Sequence, residues 1–253
     1  MPSIIKADYI HHLPDYRERT EPIKYIIIHC SATPPKQQIE TLEQRGLSAH
    51  YIIGRDAKLY ETLETDKVAY HAGASSWRNS EGPSLNGSSI GIELESPDMG
   101  QSRRSYTERQ ITKLCYLLRI LLINHKIRRE NILGHSDIAP TRKPDPGAYF
   151  PWHKLYNEGF GIPRRCNCFH PSEDEAFLLN YIGYDISNLP AARYAFCRRW
   201  LKKEVNIEPD IQYLVDNPFP GNFTPKDLET YMKTLRYTAL AYEKERKTKL
   251  WYE

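Results

Sequence analysis

The pattern of apolar and polar positions divides the chain into two stretches of different character. Through about residue 160, short β-branched runs alternate with helical periods, whereas beyond it the apolar positions follow a helical spacing alone. KYIIIHC (24–30) is a continuous apolar run, the pattern of a strand buried on both faces. HYIIG (50–54) and KLYET (58–62) flank Arg55-Asp56-Ala57 and predict a hairpin or tight strand connection. In SSIGIELES (88–96), Ile90, Ile92 and Leu94 share one face, while Gly91, Glu93 and Glu95 share the other. Thr107, with Gln110 three residues on, predicts a capped helix start. Ile111, Leu114, Leu117, Leu118, Leu121 and Leu122 then follow helical spacing. NILGH (131–135) predicts another short strand, and WHKLYNEGF (152–160) a short helix.

Gly, Pro and Cys without periodicity mark GIPRRCNCFHPSE (161–173) as a linker. Helices are predicted after it. Ser172 and Glu175 form a capping box before AFLLNYIGY, and AARYAFCRRWLKKE (191–204) places Tyr194, Cys197 and Leu201 on one side. Thr224-Pro225 supplies an N-cap and a proline at the first helical position before DLETYMKTLRYTALAYEKERK. No internal repeat is visible. The expected architecture is α/β, with a mixed central β-sheet flanked by helices over 1–160, a linker over 161–173, and a small all-helical domain over 174–253. That last stretch is near the size at which a single core is marginally stable alone.

Composition narrows the function classes. Of 253 residues, 40% are hydrophobic and 26% charged, with a mean hydropathy of -0.64. No stretch approaches the ~18 consecutive apolar residues of a membrane span, and no transmembrane segment is expected. The first residues, MPSIIKADYIHHLPDYRERTE, lack the apolar core of ~7–15 residues of a signal peptide. The expected location of the chain as it stands is therefore cytoplasmic; a trimmed mature form would instead be periplasmic or associated with the cell wall. The net charge of +3 does not segregate: residues 1–160 hold 21 Lys/Arg against 19 Asp/Glu, and residues 161–253 hold 14 against 13. This argues against nucleic acid as a partner. RREN (128–131) and RRWLKKE (198–204) are locally basic and read as solvated helix surface. The five cysteines are odd in number and lack the spacing of a disulfide framework. Cys115 falls in an apolar helical run as a small core residue, and Cys166-Asn-Cys168-Phe-His170 lacks a fourth metal ligand and reads as linker.

The densest group of titratable residues is GHSDIAPTRKPDPGAYFPW (134–152), stiffened by Pro140, Pro144, Pro146 and Pro151. Lys143 and Asp145 each precede a proline, which holds both extended with their side chains toward the same side. Taken alone, this is equally a rigid surface loop with a Lys–Asp pair. His29 emerges from the most apolar run of the chain, where a lone histidine is more often a satisfied core residue. With His135 and Asp145, however, it would complete the three N/O ligands typical of a catalytic zinc centre. Glu93, on the polar face of its strand, is either solvated or a general base beside such a centre.

IIIHCSAT, SAHYIIGRDAKLYE, VAYHAGASSW, LNGSSIGIELES and GHSDIAPTRKPDPGAYFPW occur in the order and spacing of the zinc-dependent N-acetylmuramoyl-L-alanine amidases. The chain resembles the type 2 amidase family, which includes AmpD and AmiD and is similar to the peptidoglycan recognition proteins. The resemblance covers about residues 22–158. It implies one Zn2+ held by His29, His135 and Asp145, Glu93 as catalytic acid/base and Lys143 as the electrophilic group. It also implies His71 and Asn86 as lining the substrate groove, with Trp77 and Arg142 as further candidates. Glu95 competes with Glu93 on the same strand face, and the family pattern, rather than periodicity, favours Glu93. Beyond residue 173, LLNYIGYD (178–185) and ARYAFCRRWL (192–201) resemble the helical peptidoglycan-binding modules that follow AmiD-type amidases; a structural cap is the alternative.

The implied reaction is hydrolysis of the amide between N-acetylmuramic acid, including its 1,6-anhydro form, and L-alanine of the stem peptide, in peptidoglycan turnover or recycling. The partner is peptidoglycan or soluble 1,6-anhydro-muropeptide, two substrates the sequence does not separate. The alternative is a recognition module that binds muropeptides without cutting them. Such a module would lack a ligand or the glutamate, and here the whole set is present.

Overall fold

The computed structural model describes residues 4–78, 80, 82–162, 168–202 and 215–248. Its centre is a mixed six-stranded sheet in the order β1-β5-β4-β7-β3-β8. These strands are Tyr9–Ile10 (β1), Tyr25–Ser31 (β3), Tyr51–Ile53 (β4), Leu59–Glu61 (β5), Ser89–Glu95 (β7) and Ile132–Gly134 (β8). Tyr16–Glu18 (β2) and Lys67–Ala69 (β6) form a separate antiparallel pair. β3 lies between β7 and β8 and is parallel to both, which explains its uninterrupted apolar run. The expected hairpin is the antiparallel β4–β5 pair.

Successive parallel strands of one sheet need long crossovers. Pro35–Gln44 (α1) provides one and Glu108–His125 (α2) another. α1 was not predicted; it opens on Pro34-Pro35 and is largely polar. α2 begins as expected, with Thr107 and Gln110 bonding reciprocally. Its apolar stripe packs on the sheet face carrying Ile26, Ile28, Ile90, Ile92 and Leu94. The opposite face carries Tyr25, Ile27 and Leu133, and His29 follows from the same alternation.

After the short helices His135–Ile138 (α3) and Trp152–Asn157 (α4), that opposite face is covered by the later helices: Glu175–Ile182 (α5), Leu189–Trp200 (α6) and Leu228–Lys247 (α7). One continuous buried cluster joins Ile27, Leu133 and Ile138 to Leu179, Phe196 and Leu235. The two stretches distinguished by periodicity therefore share a core. Of the expected linker, residues 163–167 lie outside the described residues. His170 and Arg236 exchange hydrogen bonds that tie residues just beyond them to α7.

Three local expectations change. α5 is capped by Asp174, whose side chain accepts from the Phe177 N–H at 2.8 Å; Ser172 accepts from Asp174 instead. α7 starts at Leu228 behind Asp227, which accepts from Thr230, so Thr224-Pro225 lies upstream of the helix. In both cases an aspartate three residues from a free N–H outcompetes a more distant hydroxyl. Within RRWLKKE, Arg198 and Arg199 are buried rather than solvated, because both reach back toward the sheet. Cys115 is buried as expected; Cys168 is exposed, and Cys166 lies outside the described residues. Among the described residues no helix is long and apolar enough to cross a membrane.

Candidate active site

His29, near the end of β3, His135, the first residue of the short helix His135–Ile138 (α3), and Asp145, in the proline-stiffened loop after it, are all buried. His29 Nδ1 lies 2.9 Å from His135 Nδ1 and 3.2 Å from Asp145 Oδ2, and His135 Nδ1 lies 3.1 Å from the same oxygen. A tetrahedral zinc with bonds of ~2.0–2.1 Å has donor–donor edges of roughly 3.3 Å, so the triangle has the right size. The Ser136 N–H donates to the Asp145 carbonyl at 2.8 Å, tying the two ends of the loop together.

The far sides of the imidazoles fit the same role. His135 Nε2 faces the Ala72 carbonyl at 3.1 Å, which can only accept, so its proton sits there and Nδ1 keeps its lone pair. Ser89 donates its hydroxyl proton to the Leu85 carbonyl at 2.7 Å and therefore accepts from His71 Nε2–H at 3.2 Å. His71 Nδ1 is left as acceptor for His29 Nε2–H at 2.9 Å, which frees His29 Nδ1. Both inner nitrogens are thus presented as lone pairs, as metal-ligating histidines are by outward hydrogen bonds.

Electrostatics agree. Burial, with His135 beside it, pushes His29 down to about 4. Burial works to raise the Asp145 pKa, yet His135 and His29 outweigh it and hold the carboxyl well below its usual range. Two imidazoles and one carboxylate form a donor set suited to a divalent cation.

Glu93 stands opposite His29 in the β3–β7 register, on the same face of the sheet. Burial, then the charge of Asp145, pushes its carboxyl up to about 8, and Oε2 is buried without a hydrogen-bond partner. Glu95 sits two residues on, opposite Ser31, where its carboxylate accepts from the Arg55 N–H at 2.9 Å. The register thus separates two glutamates that periodicity leaves equivalent. Lys143 is half-buried, and its charge acts on both His29 and Glu93.

The other groove candidates divide. His71 touches His29, and Asn86 Oδ1 accepts from the His71 and Ala72 N–H groups at 3.1 and 2.7 Å. Arg142 donates to the Ala72 and Ala74 carbonyls. These three frame the loop that carries His71. Trp77 is a correction to the groove assignment: it is fully buried, edge-on to Tyr184 at 4.9 Å and near Tyr242. Its large apolar surface is taken up by the later helices, out of reach of a substrate.

Sequence reading missed Gln38 of α1, buried and acting to lower the Glu93 pKa, because α1 itself was not predicted. It also missed Ser89, the last side chain of the His71 relay. Gly91 was a readable signal, since glycine inside a strand often marks close approach. A Cβ there would lie 2.5 Å from the His71 ring.

A three-donor cradle beside a buried carboxyl, on one face of a mixed sheet, is the arrangement a metal-dependent hydrolase needs. The sequence profile of the N-acetylmuramoyl-L-alanine amidase family matches residues 19–148, more than half of the chain, and the chain belongs to that family. It is 32% identical over 188 residues to N-acetylmuramoyl-L-alanine amidase AmiD of Escherichia coli K12, over 65% of this chain and 67% of that protein. It is 41% identical over 111 residues to 1,6-anhydro-N-acetylmuramyl-L-alanine amidase AmpD of Enterobacter cloacae, over 44% of this chain and 56% of that one. The chain thus spans about two thirds of that AmiD and just over half of that AmpD. The structure of Escherichia coli AmiD in complex with anhydro-N-acetylmuramic acid-L-Ala-D-gamma-Glu-L-Lys superposes with a TM-score of 0.65, covering 90% of this chain and 92% of that one at 24% identity. That is a shared fold, and it extends through the later helices.

Proposed function

We propose that the chain is a zinc-dependent amidase that hydrolyses the bond between N-acetylmuramic acid, including its 1,6-anhydro form, and L-alanine of the stem peptide. The observation that carries this reading is the convergence of His29 Nδ1, His135 Nδ1 and Asp145 Oδ2 within 2.9–3.2 Å, with Glu93 in register beside them. The names of the AmiD and AmpD relatives supply the bond class.

His29, His135 and Asp145 would hold the metal, which when bound supplies Lewis acidity toward the amide carbonyl and lowers the pKa of water toward ~7. The carboxylate of Glu93 accepts the proton of the attacking water and passes it to the leaving alanine nitrogen, so that a neutral amine departs. Its raised pKa suits this exchange, because a group titrating near neutrality can both take and return a proton. The Lys143 ammonium donates to the oxyanion of the tetrahedral intermediate, a role worth ~3–4 kcal/mol per donor. Pro144 and Pro146 limit the freedom of the segment that carries it.

The test is mass spectrometry of products from purified 1,6-anhydro-muropeptide and from insoluble sacculi, with chelator-treated and Asp145→Ala controls. Free stem peptide from either substrate, lost in both controls and restored by zinc only in the chelator-treated one, is the expected result. No release from either substrate would overturn the assignment in favour of non-catalytic recognition. Release from one substrate alone assigns the polymer or the soluble fragment.

A further inference from the structure

Arg198 and Arg199 of α6 are 3% and 4% exposed, although arginine is almost never fully buried without a partner. The Arg199 guanidinium pairs with the Asp137 carboxylate and donates to the Ile132 carbonyl of β8 at 3.1 Å. Asp137 Oδ2 in turn accepts from the Gly134 N–H at 2.7 Å, so Asp137 and Gly134 bracket His135. Arg198 donates to the main-chain carbonyl of Lys143 at 3.2 Å. The two neighbours therefore grip opposite ends of the 135–145 segment, which carries two of the three donors and the candidate oxyanion group.

We propose that α6 is a positioning element of the active site. Arg199 holds His135, and Arg198 holds the Lys143–Asp145 end, in the geometry His29 requires. This deepens the metal-amidase reading and rests on it. Stability alone is a poor account of the pair, because a buried ion pair is often no better than a well-packed apolar one of similar volume. What a planar guanidinium adds is direction: two N–H groups aimed at two fixed acceptors. Outer partners of metal ligands matter in this way, and their loss typically weakens metal binding about 10–100-fold. The later helices thereby become part of the catalytic machinery, whatever else they bind.

The test uses the full chain and three variants: Arg199→Met, Arg198→Gln and, as a control, Arg193→Met. Arg193 pairs with Glu175 within the later helices and has no bond to the 135–145 segment. Zinc affinity is read by competition with a chromogenic chelator, and kcat and KM on soluble anhydro-muropeptide. Arg199→Met is expected to weaken zinc binding about 10–100-fold. Arg198→Gln is expected to lower kcat about tenfold at unchanged KM, as a displaced catalytic group does, with a smaller loss of zinc affinity than Arg199→Met. Arg193→Met is expected to lower Tm and change neither readout. Should Arg199→Met fail to fold, Arg199→Lys keeps the charge, loses the planar fork and answers the same question. Unchanged zinc affinity and kcat in the Arg198 and Arg199 variants, or equal losses in Arg193→Met, would overturn the inference alone. A wild-type chain that takes up no stoichiometric zinc would overturn the metal reading and this inference with it.

Discussion

His29 Nε2 lies 2.9 Å from His71 Nδ1, so the nitrogen that faces the metal cradle is selected from the far side of its own ring. His71 is in turn oriented by Ser89 and by the Asn86 bond to its main chain. His71→Ala is expected to weaken zinc binding about 10–100-fold. His71→Gln, which retains an acceptor, should recover part of the loss. A raised KM with zinc affinity intact would instead make His71 a substrate contact.

Glu93→Gln should lower kcat by about 10²–10⁴, the usual contribution of a positioned acid/base, while zinc remains bound. Zinc analysis alongside single-turnover rates checks this, and full activity in the zinc-loaded variant would remove Glu93 from the mechanism.

The same residue shapes stability. Burial raises the Glu93 carboxyl from 4.5 to about 8, so the folded state favours its protonated form. That contribution is fully present below 4.5 and is lost as the pH rises toward 8. In the metal-free chain, the Tm of Glu93→Gln relative to wild type should therefore climb across this window. A Tm difference that stays flat would mean the carboxyl titrates normally.

The Gln38 amide beside Glu93 works to lower its pKa against burial. Gln38→Leu should push the acidic limb of the kcat/KM profile to higher pH. Activity at neutral pH falls and recovers at higher pH. A drop independent of pH would assign Gln38 to packing alone.

Trp77 packs against Tyr184 and Tyr242, and Gly183 lies close under its ring. Trp77→Ala should cost ~3–5 kcal/mol of stability, as large-to-small aromatic changes in cores do. KM for a soluble muropeptide should not move. A KM increase without a loss of Tm would return Trp77 to the groove.

Much of the sheet was legible because its rules are local. The apolar run of β3, the alternation of β7 and the Thr107 cap each announce themselves within a few residues. α1 gave no such signal, being polar and capped by proline without a side-chain bond. The starts of α5 and α7 shifted because several candidate caps competed at each, and only the backbone path shows which carboxylate reaches a free N–H.

The sequence by itself determined the family and most of the order of strands and helices along the chain, and the resemblance it carries named five residues for metal and proton chemistry. The elements follow from periodicity and the family from its motifs, both of which a linear chain displays. The tertiary structure decided which of two glutamates faces His29, because strand register is set between β3 and β7 rather than within either. It also decided that Trp77 and the Arg198–Arg199 pair belong to the shared core behind the site. Burial and hydrogen bonding depend on what packs opposite a residue, and here the partners lie as much as 165 positions away, from Trp77 to Tyr242.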